Sequence, residues 1–313
     1  MIDKLRPMYL EALVKAREES TAEIRKGVGV SIGIYGCGLD GPDSSEIWVE
    51  LTPDGVTLTS CWEDHGQGAD MGALGTCHEA LRPLGISPDR IELVMNDTAL
   101  VPNSGPSGGS RQQVMTGNAI KNGCEMLLNA MRKPDGSYRT YDEMKAENIP
   151  LKYSGKWTAS MCTPCDENGQ GSPFPVYMYG VFMAEVAVNT STGKTQVEKF
   201  TLMADIGKIN NKLVVDGQIY GGLAQGIGLA LTEDFEDLNK HTSLVECGLP
   251  YNKDIPDNIQ VFYFENPREH GPFGAAGVGE LPLTSPHAAV INAIANATGV
   301  RIRQAPALPE KVL

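Results

Sequence analysis

Apolar and polar positions change period several times along the chain, and each change marks a predicted element. Residues 4–26 set Leu5, Met8, Leu10, Leu13 and Ala16 among many Lys, Arg and Glu, the spacing of an amphipathic helix ended near Gly27. Residues 28–35 are mostly apolar and β-branched and read as a buried strand. Residues 46–52 and 56–60 flank Pro53-Asp54-Gly55, a β-hairpin pattern. A helix is predicted over 69–84, a strand over 91–95, and a second strong helix over 114–131, stopped before Pro134-Asp135-Gly136.

Residues 133–175 are polar and rich in turn formers, with a short helix near 141–147, and read as a connection between two halves. Beyond them, 176–189 and 194–205 are joined by Thr190-Ser191-Thr192-Gly193, a second hairpin. An apolar, glycine-containing helix over 213–231 follows, then a strand over 259–264. Ser285-Pro286 opens a last helix to about 298, with Ser as N-cap and Pro at the first helical position, and 300–303 reads as a short final strand. Interleaved helices and hairpins give an α+β class with two mixed-sheet-plus-helix subdomains, 1–150 and 151–313. The two hairpin-then-helix stretches suggest distantly equivalent halves.

Charge narrows the function. Lys and Arg number 26 against 39 Asp and Glu, a net charge of −13, and no Lys/Arg cluster offers a nucleic-acid surface. No apolar run approaches the roughly 18 residues of a membrane span. The first residues, Met1-Ile2-Asp3-Lys4-Leu5-Arg6, lack a signal-peptide core, and seven scattered cysteines read as reduced thiols of a cytoplasmic protein. Cys162-Thr163-Pro164-Cys165 has no second pair and runs into a loop, so it reads as two loop cysteines without a metal; no grouping of four cysteines offers an iron–sulfur site.

Glycine changes the picture most. There are 35 glycines in 313 residues, well above the usual share of roughly 7%, which means tight turns or close backbone approach. Four glycine-rich segments are placed at strand–helix boundaries, where backbone N–H groups can meet an anion. They are 63–70 with His65, Gly66 and Gln67; 104–113 with Ser107, Gly109, Ser110, Arg111 and Gln112; Asp216-Gly217-Gln218 with Gln225 two turns later; and 271–282 with Gly279 and Glu280. Any one such loop is more often a plain turn, and a lone His65 is more often structural. Neither a Rossmann fingerprint nor a P-loop is met. Glu280, preceded by small residues, is either a solvated loop carboxylate or, in an apolar setting that raises its pKa, a general base.

Taken together in this order, the four segments resemble the molybdenum hydroxylases of the xanthine oxidase family. Residues 271–289 resemble the family's active-site loop, His65-Gly66-Gln67-Gly68 its glycine–glutamine–glycine loop, and Ser107-Gly108-Gly109-Ser110-Arg111-Gln112 its pterin and phosphate loop. Asp205-Ile206-Gly207 with Gly217-Gln218 and 225–228 resembles its late strand-and-helix segment. The likeness runs through essentially the whole chain and is strongest to the bacterial aldehyde-oxidising members. It covers only the C-terminal part of such an enzyme, so the chain reads as a subunit, a split-gene product or a fragment.

The resemblance implies a molybdenum ion held by the dithiolene of a molybdopterin, in its cytosine dinucleotide form, and not by protein side chains. Glu280 would take a proton from the hydroxide that attacks the substrate carbon. His65, Gly66, Gln67, Ser107, Gly109, Ser110, Arg111, Gln112 and Gly279 would hold the pterin and its phosphates, Arg111 by a charge-assisted contact. Gln218 and Gln225 would bond the pterin or the metal's ligands. Iron–sulfur clusters and the rest of the molybdenum domain would lie in other domains or subunits, and the assembled enzyme would be a homodimer. An aldehyde is the implied substrate; a purine, another N-heterocycle or carbon monoxide, or a chain that binds cofactor without turning over, are the alternatives.

Overall fold

The computed structural model describes residues 1–95 and 97–313. In chain order the elements are α1 (Ile2–Glu19), β1 (Ile24–Cys37), β2 (Ser44–Leu51), β3 (Val56–Ser60), α2 (Ala69–Ala80), β4 (Ile91–Met95), α3 (Gln112–Met131), α4 (Tyr141–Ala146), β5 (Lys152–Thr158), β6 (Val176–Asn189), β7 (Thr195–Asp205), α5 (Lys212–Leu231), β8 (Asn258–Phe264), α6 (Pro286–Thr298) and α7 (Pro309–Val312). Both predicted hairpins form: β2 pairs antiparallel with β3, and β6 with β7. Among the described residues, no helix is long and apolar enough to cross a membrane.

Two four-stranded mixed sheets carry the architecture, in the orders β4-β3-β2-β5 and β1-β6-β7-β8. In the first, β3 and β4 are parallel and joined through α2; in the second, β7 and β8 are parallel and joined through α5. Each sheet is therefore a hairpin, a crossover helix, a parallel strand and one additional strand, so the suspected equivalence of two halves exists at the level of topology. The contiguous division at residue 150 does not. β1 pairs with β6 over its whole length and belongs to the later sheet, whereas β5 pairs with β2 and belongs to the earlier one. The polar stretch 133–175 thus contains a sheet strand and is not merely a connection.

Four local expectations are corrected. The first helix ends at Glu19, and Gly27 lies inside β1, where a Cβ would stand 2.2 Å from the Ala293 carbonyl of α6. Gly29 makes the same approach at 2.2 Å to Ala289 O. These glycines let α6 lie directly on the strand, so part of the glycine excess serves packing. β1 is an edge strand of alternating exposure: Val28 is buried under α1, but Ile32 and Ile34 are 60% and 58% exposed. Ser285 makes no side-chain cap on α6; its hydroxyl instead meets Ser31 Oγ at 3.3 Å, and 300–303 forms no strand.

Aliphatic burial is continuous around α5, α6 and the inner strands β6 and β7, with Phe182 and Phe200 edge to face at its centre. A second cluster joins α2 and α3 to β2–β4.

Candidate functional site

The parallel strands determine where the loops go. β3 and β4 lead into α2 and α3, and β7 and β8 lead towards α5 and α6, so four connections leave the carboxyl ends of two parallel pairs. Carboxyl ends of parallel strands, where helix N-termini gather, are the usual seat of ligands in such sheets. The four connections converge on one open cleft of about 350 Å³, at the lower end of the range for small-molecule sites. Its walls include His65 and Gln67 from the first connection, Ser107, Ser110 and Gln112 from the second, Gln218 from α5, and Gly279 and Glu280 from the fourth.

Several predicted ligands turn out to be occupied by the protein itself. The first loop carries its own anion: Asp64 accepts from the amides of Gly66 at 2.7 Å, Gly68 at 3.2 Å and Asp70 at 3.1 Å. Burial opposes the Asp64 charge, but these amides prevail and hold its carboxyl below the usual range. Gly66 therefore cannot offer its N–H to a phosphate. Gln67 is bonded within the loop, accepting from His65 N and donating to Glu63 O at 2.7 Å.

Arg111 is the main correction. Its side chain is fully buried, and Nε and Nη2 donate to the two carboxylate oxygens of Asp43 at 2.7 and 2.8 Å. Nη1 donates to the carbonyls of Ser104 and Pro106, and Nη2 also to Ser44. All five guanidinium protons are accounted for, so the side chain has none left for a phosphate. Gln112 is likewise turned inwards, donating to Gly105 O and Pro106 O. Gln225 lies outside the cleft lining and is exposed, two turns and roughly 10 Å along α5 from Gln218. Asp216-Gly217-Gln218 is itself the second turn of α5 and not a loop.

What remains available is mainly backbone. The amides of Gly109, Ser110, Gln112 and Gln113 find no acceptor among the described residues, and they open the 20-residue helix α3. Gly109 takes the left-handed φ of 63° that glycine tolerates, and its lack of a Cβ, which would stand 2.9 Å from Gly38 O, permits the close approach. Lys208, exposed and without an ion pair among the described residues, puts a cation on the same wall; no motif in the sequence announced it beyond its place after Asp205-Ile206-Gly207. Asn210, also unforeseen, donates to Gln113 Oε1 at 3.1 Å and Gly72 O at 2.9 Å and ties α2 to α3.

The loop bearing Glu280 is pinned from both sides. Asp205 is paired with Arg268 at 2.7 Å, and the backbone of 206–208 bonds residues 274–276. Ser110 Oγ donates to Glu280 Oε2 and accepts from Glu280 N at 3.2 Å. Ser107 Oγ similarly donates to Glu63. Burial works against the Glu63 charge, yet the bonds led by Ser107 hold its carboxyl low. Glu280 is half-buried and not alone: Tyr35 and buried Cys37 lie near enough to feel its charge. Among the described residues, no group of three or more His, Cys, Asp or Glu is placed to hold a metal ion.

An open cleft at strand carboxyl ends, walled by free helix-terminal amides, one lysine and one carboxylate, defines a domain that binds an extended anionic cofactor. The chain belongs to the molybdopterin cofactor-binding domain family, whose model matches residues 4–256. It is 64% identical to the aldehyde oxidoreductase of Megalodesulfovibrio gigas over 100% of this chain and 35% of that protein. The crystal structure of the aldehyde oxidoreductase from Desulfovibrio desulfuricans ATCC 27774 superposes with a TM-score of 0.97, covering 99% of this chain and 34% of that one. A Cu,Mo-CO dehydrogenase superposes at 0.79 with 20% identity, over 99% of this chain and 44% of its own, a likeness of fold. The chain spans about a third of the length of the aldehyde oxidoreductases it matches.

Proposed function

We propose that this chain is the molybdenum-cofactor-binding catalytic portion of an aldehyde oxidoreductase, with Glu280 as its general base. The observation that carries this reading is the convergence of all four glycine-bearing segments on one cleft with Glu280 in its wall. The cleft suits the cofactor: unpartnered amides at the start of α3 and the Lys208 ammonium match phosphate oxygens. Gln218, whose side chain bonds nothing among the described residues, is available to the pterin. When bound, molybdopterin supplies the redox metal that takes two electrons from the aldehyde carbon.

The chain's own part is proton handling and orientation. The Glu280 carboxylate accepts the proton of the water-derived nucleophile, a role that needs a carboxylate held still within hydrogen-bond reach. Ser107, Arg111, Gln112 and Gln67 act one step back, fixing the loops whose backbones meet the cofactor. We assign the cofactor to the cytosine dinucleotide form, place the iron–sulfur clusters and the opposite wall in the remainder of the longer protein, and infer a reducing, cytoplasmic setting from seven free cysteines.

The test uses the complete, cofactor-loaded protein. Glu280→Gln should abolish aldehyde oxidation, by at least about a thousandfold, with molybdenum and pterin content unchanged. Normal turnover by this variant would refute the base assignment. Turnover of a purine or of carbon monoxide in place of aldehydes would overturn the substrate.

A further inference from the structure

Ser110 belongs to the loop expected to hold phosphates, but its atoms point elsewhere. The hydroxyl has one proton, and it goes to Glu280 Oε2; one of its lone pairs takes the Glu280 amide at 3.2 Å. A second lone pair is all that is left, and an ionised phosphate has no proton to offer it. Reciprocal bonds between the same two residues fix both the backbone and the carboxylate of Glu280.

The backbone tells the same story. Ser110 sits at φ 49°, a left-handed conformation that glycine adopts freely and serine seldom does. Gly109, immediately before it, is also left-handed at φ 63°. In a loop with glycine at 105, 108 and 109, a serine at 110 keeps a hydroxyl where the backbone favours its loss. The opposite loop is shaped to receive it: a Cβ on Gly277 would stand 2.3 Å from Ser110 O and 2.7 Å from Ser110 Cβ.

We propose that Ser110 is a positioning residue for Glu280, holding the carboxylate towards the cleft, and is not a side-chain ligand of the cofactor. The proposal rests on the reading of Glu280 as the base. It reverses the assignment that the loop's resemblance implies and makes the second and fourth connections one working unit.

The experiment compares Ser110→Gly, Ser110→Ala and the double variant Ser110→Gly/Glu280→Gln in the complete cofactor-loaded protein. Glycine keeps the left-handed turn and removes only the hydroxyl; alanine checks that the outcome does not depend on backbone relief. Four quantities are read: molybdenum and pterin per chain, KM, kcat, and the Glu280 rotamer in a crystal structure of Ser110→Gly. Expected are wild-type cofactor content and KM, kcat lowered about tenfold or more, no further loss in the double variant beyond Glu280→Gln, and a carboxylate displaced from its cleft-facing position. Loss of cofactor with kcat per bound molybdenum unchanged would overturn the proposal in favour of a ligand role. So would an undisturbed Glu280 rotamer. Full turnover by Glu280→Gln alone would remove the base assignment, and a displaced rotamer in Ser110→Gly would still uphold the positioning.

Discussion

Removing the Arg111 guanidinium separates two incompatible roles for that side chain. In Arg111→Ala, Asp43 loses two charge-assisted bonds, and the carbonyls of Ser44, Ser104 and Pro106 lose their donors. Side-chain exposure of the pair is 0% and 5%, so water cannot replace what is lost. Breaking a buried pair by deleting one partner costs about 3–5 kcal/mol, because the other charge stays behind. Taking ~4 kcal/mol, the folding equilibrium falls nearly a thousandfold, and at ~2–4 °C per kcal/mol the melting temperature drops by roughly 10 °C.

Asp43 lies outside the cleft lining, so Asp43→Ala should reproduce that loss. Asp43→Leu/Arg111→Met, which removes both charges, should recover the part due to an unpaired buried charge. It should not recover the part due to the Ser44, Ser104 and Pro106 carbonyls and the Leu39 and Ser44 amides, which stay without partners. The assay is thermal unfolding of the cofactor-free protein by circular dichroism. A drop below about 3 °C in Arg111→Ala, with Asp43→Ala silent and cofactor affinity selectively lost, would refute the structural role and restore the phosphate contact.

Two further outcomes follow from packing and burial. Gly29→Ala puts a methyl 2.2 Å from Ala289 O and Ala293 N and should destabilise by about 1–3 kcal/mol or more, whereas Gly221→Ala, with nothing within 4 Å, should stabilise the cofactor-free chain by about 1 kcal/mol; urea titration ranks them, and the reverse order would contradict the strand–helix contact. Burial pushes the Cys37 thiol up to about 12 against the opposing Gly277 amide. Folding therefore favours the protonated thiol: its contribution is intact below the unfolded value near 9 and is lost as pH rises towards 12, at up to about 1.4 kcal/mol per pH unit. Unfolding at pH 8, 10 and 11 should show that extra slope in wild type and not in Cys37→Ala; equal slopes would deny the burial effect.

The legible features were those set by near neighbours in sequence. Hairpins at Pro53-Asp54-Gly55 and Thr190-Ser191-Thr192-Gly193, and the long helices α3 and α5, follow from local period and turn chemistry. Glu280 stood out because the residues before it are small, and the structure places it in the cleft wall. Illegible were the features set by distant partners. The acceptor of Arg111 is Asp43, 68 positions away, and nothing near either residue announces the other. Gln225 shares a helical face with Gln218, but helical rise carries it beyond the cleft; a face is read from periodicity, a distance along it only from where the neighbours stop. β1 reads as buried because its composition is apolar, yet an edge strand's exposure depends on how far α1 extends over it.

The interleaving of the two sheets explains how an open cleft keeps its shape. Two units joined by one linker would be free to open and close around a ligand. Here β1 leaves the first segment to pair with β6, and β5 returns from the second to pair with β2. The chain passes between the sheets twice, from β1 into β2 and from β5 into β6, and just past the end of β1 the Gly38 amide donates to Gly109 O at 3.0 Å in the loop that leads into α3. Gly27 and Gly29 then press α6, the helix after the Glu280 loop, against that same strand. β1 thus braces the second and fourth connections together. A shift of one sheet against the other large enough to move Glu280 from Ser110 must first break the Gly38–Gly109 bond and part Gly277 from Ser110. Gly27 and Gly29 thus seat α6 and the loop before it on β1, while Gly277, with no Cβ to clash, lets that loop close on Ser110 in the cleft wall.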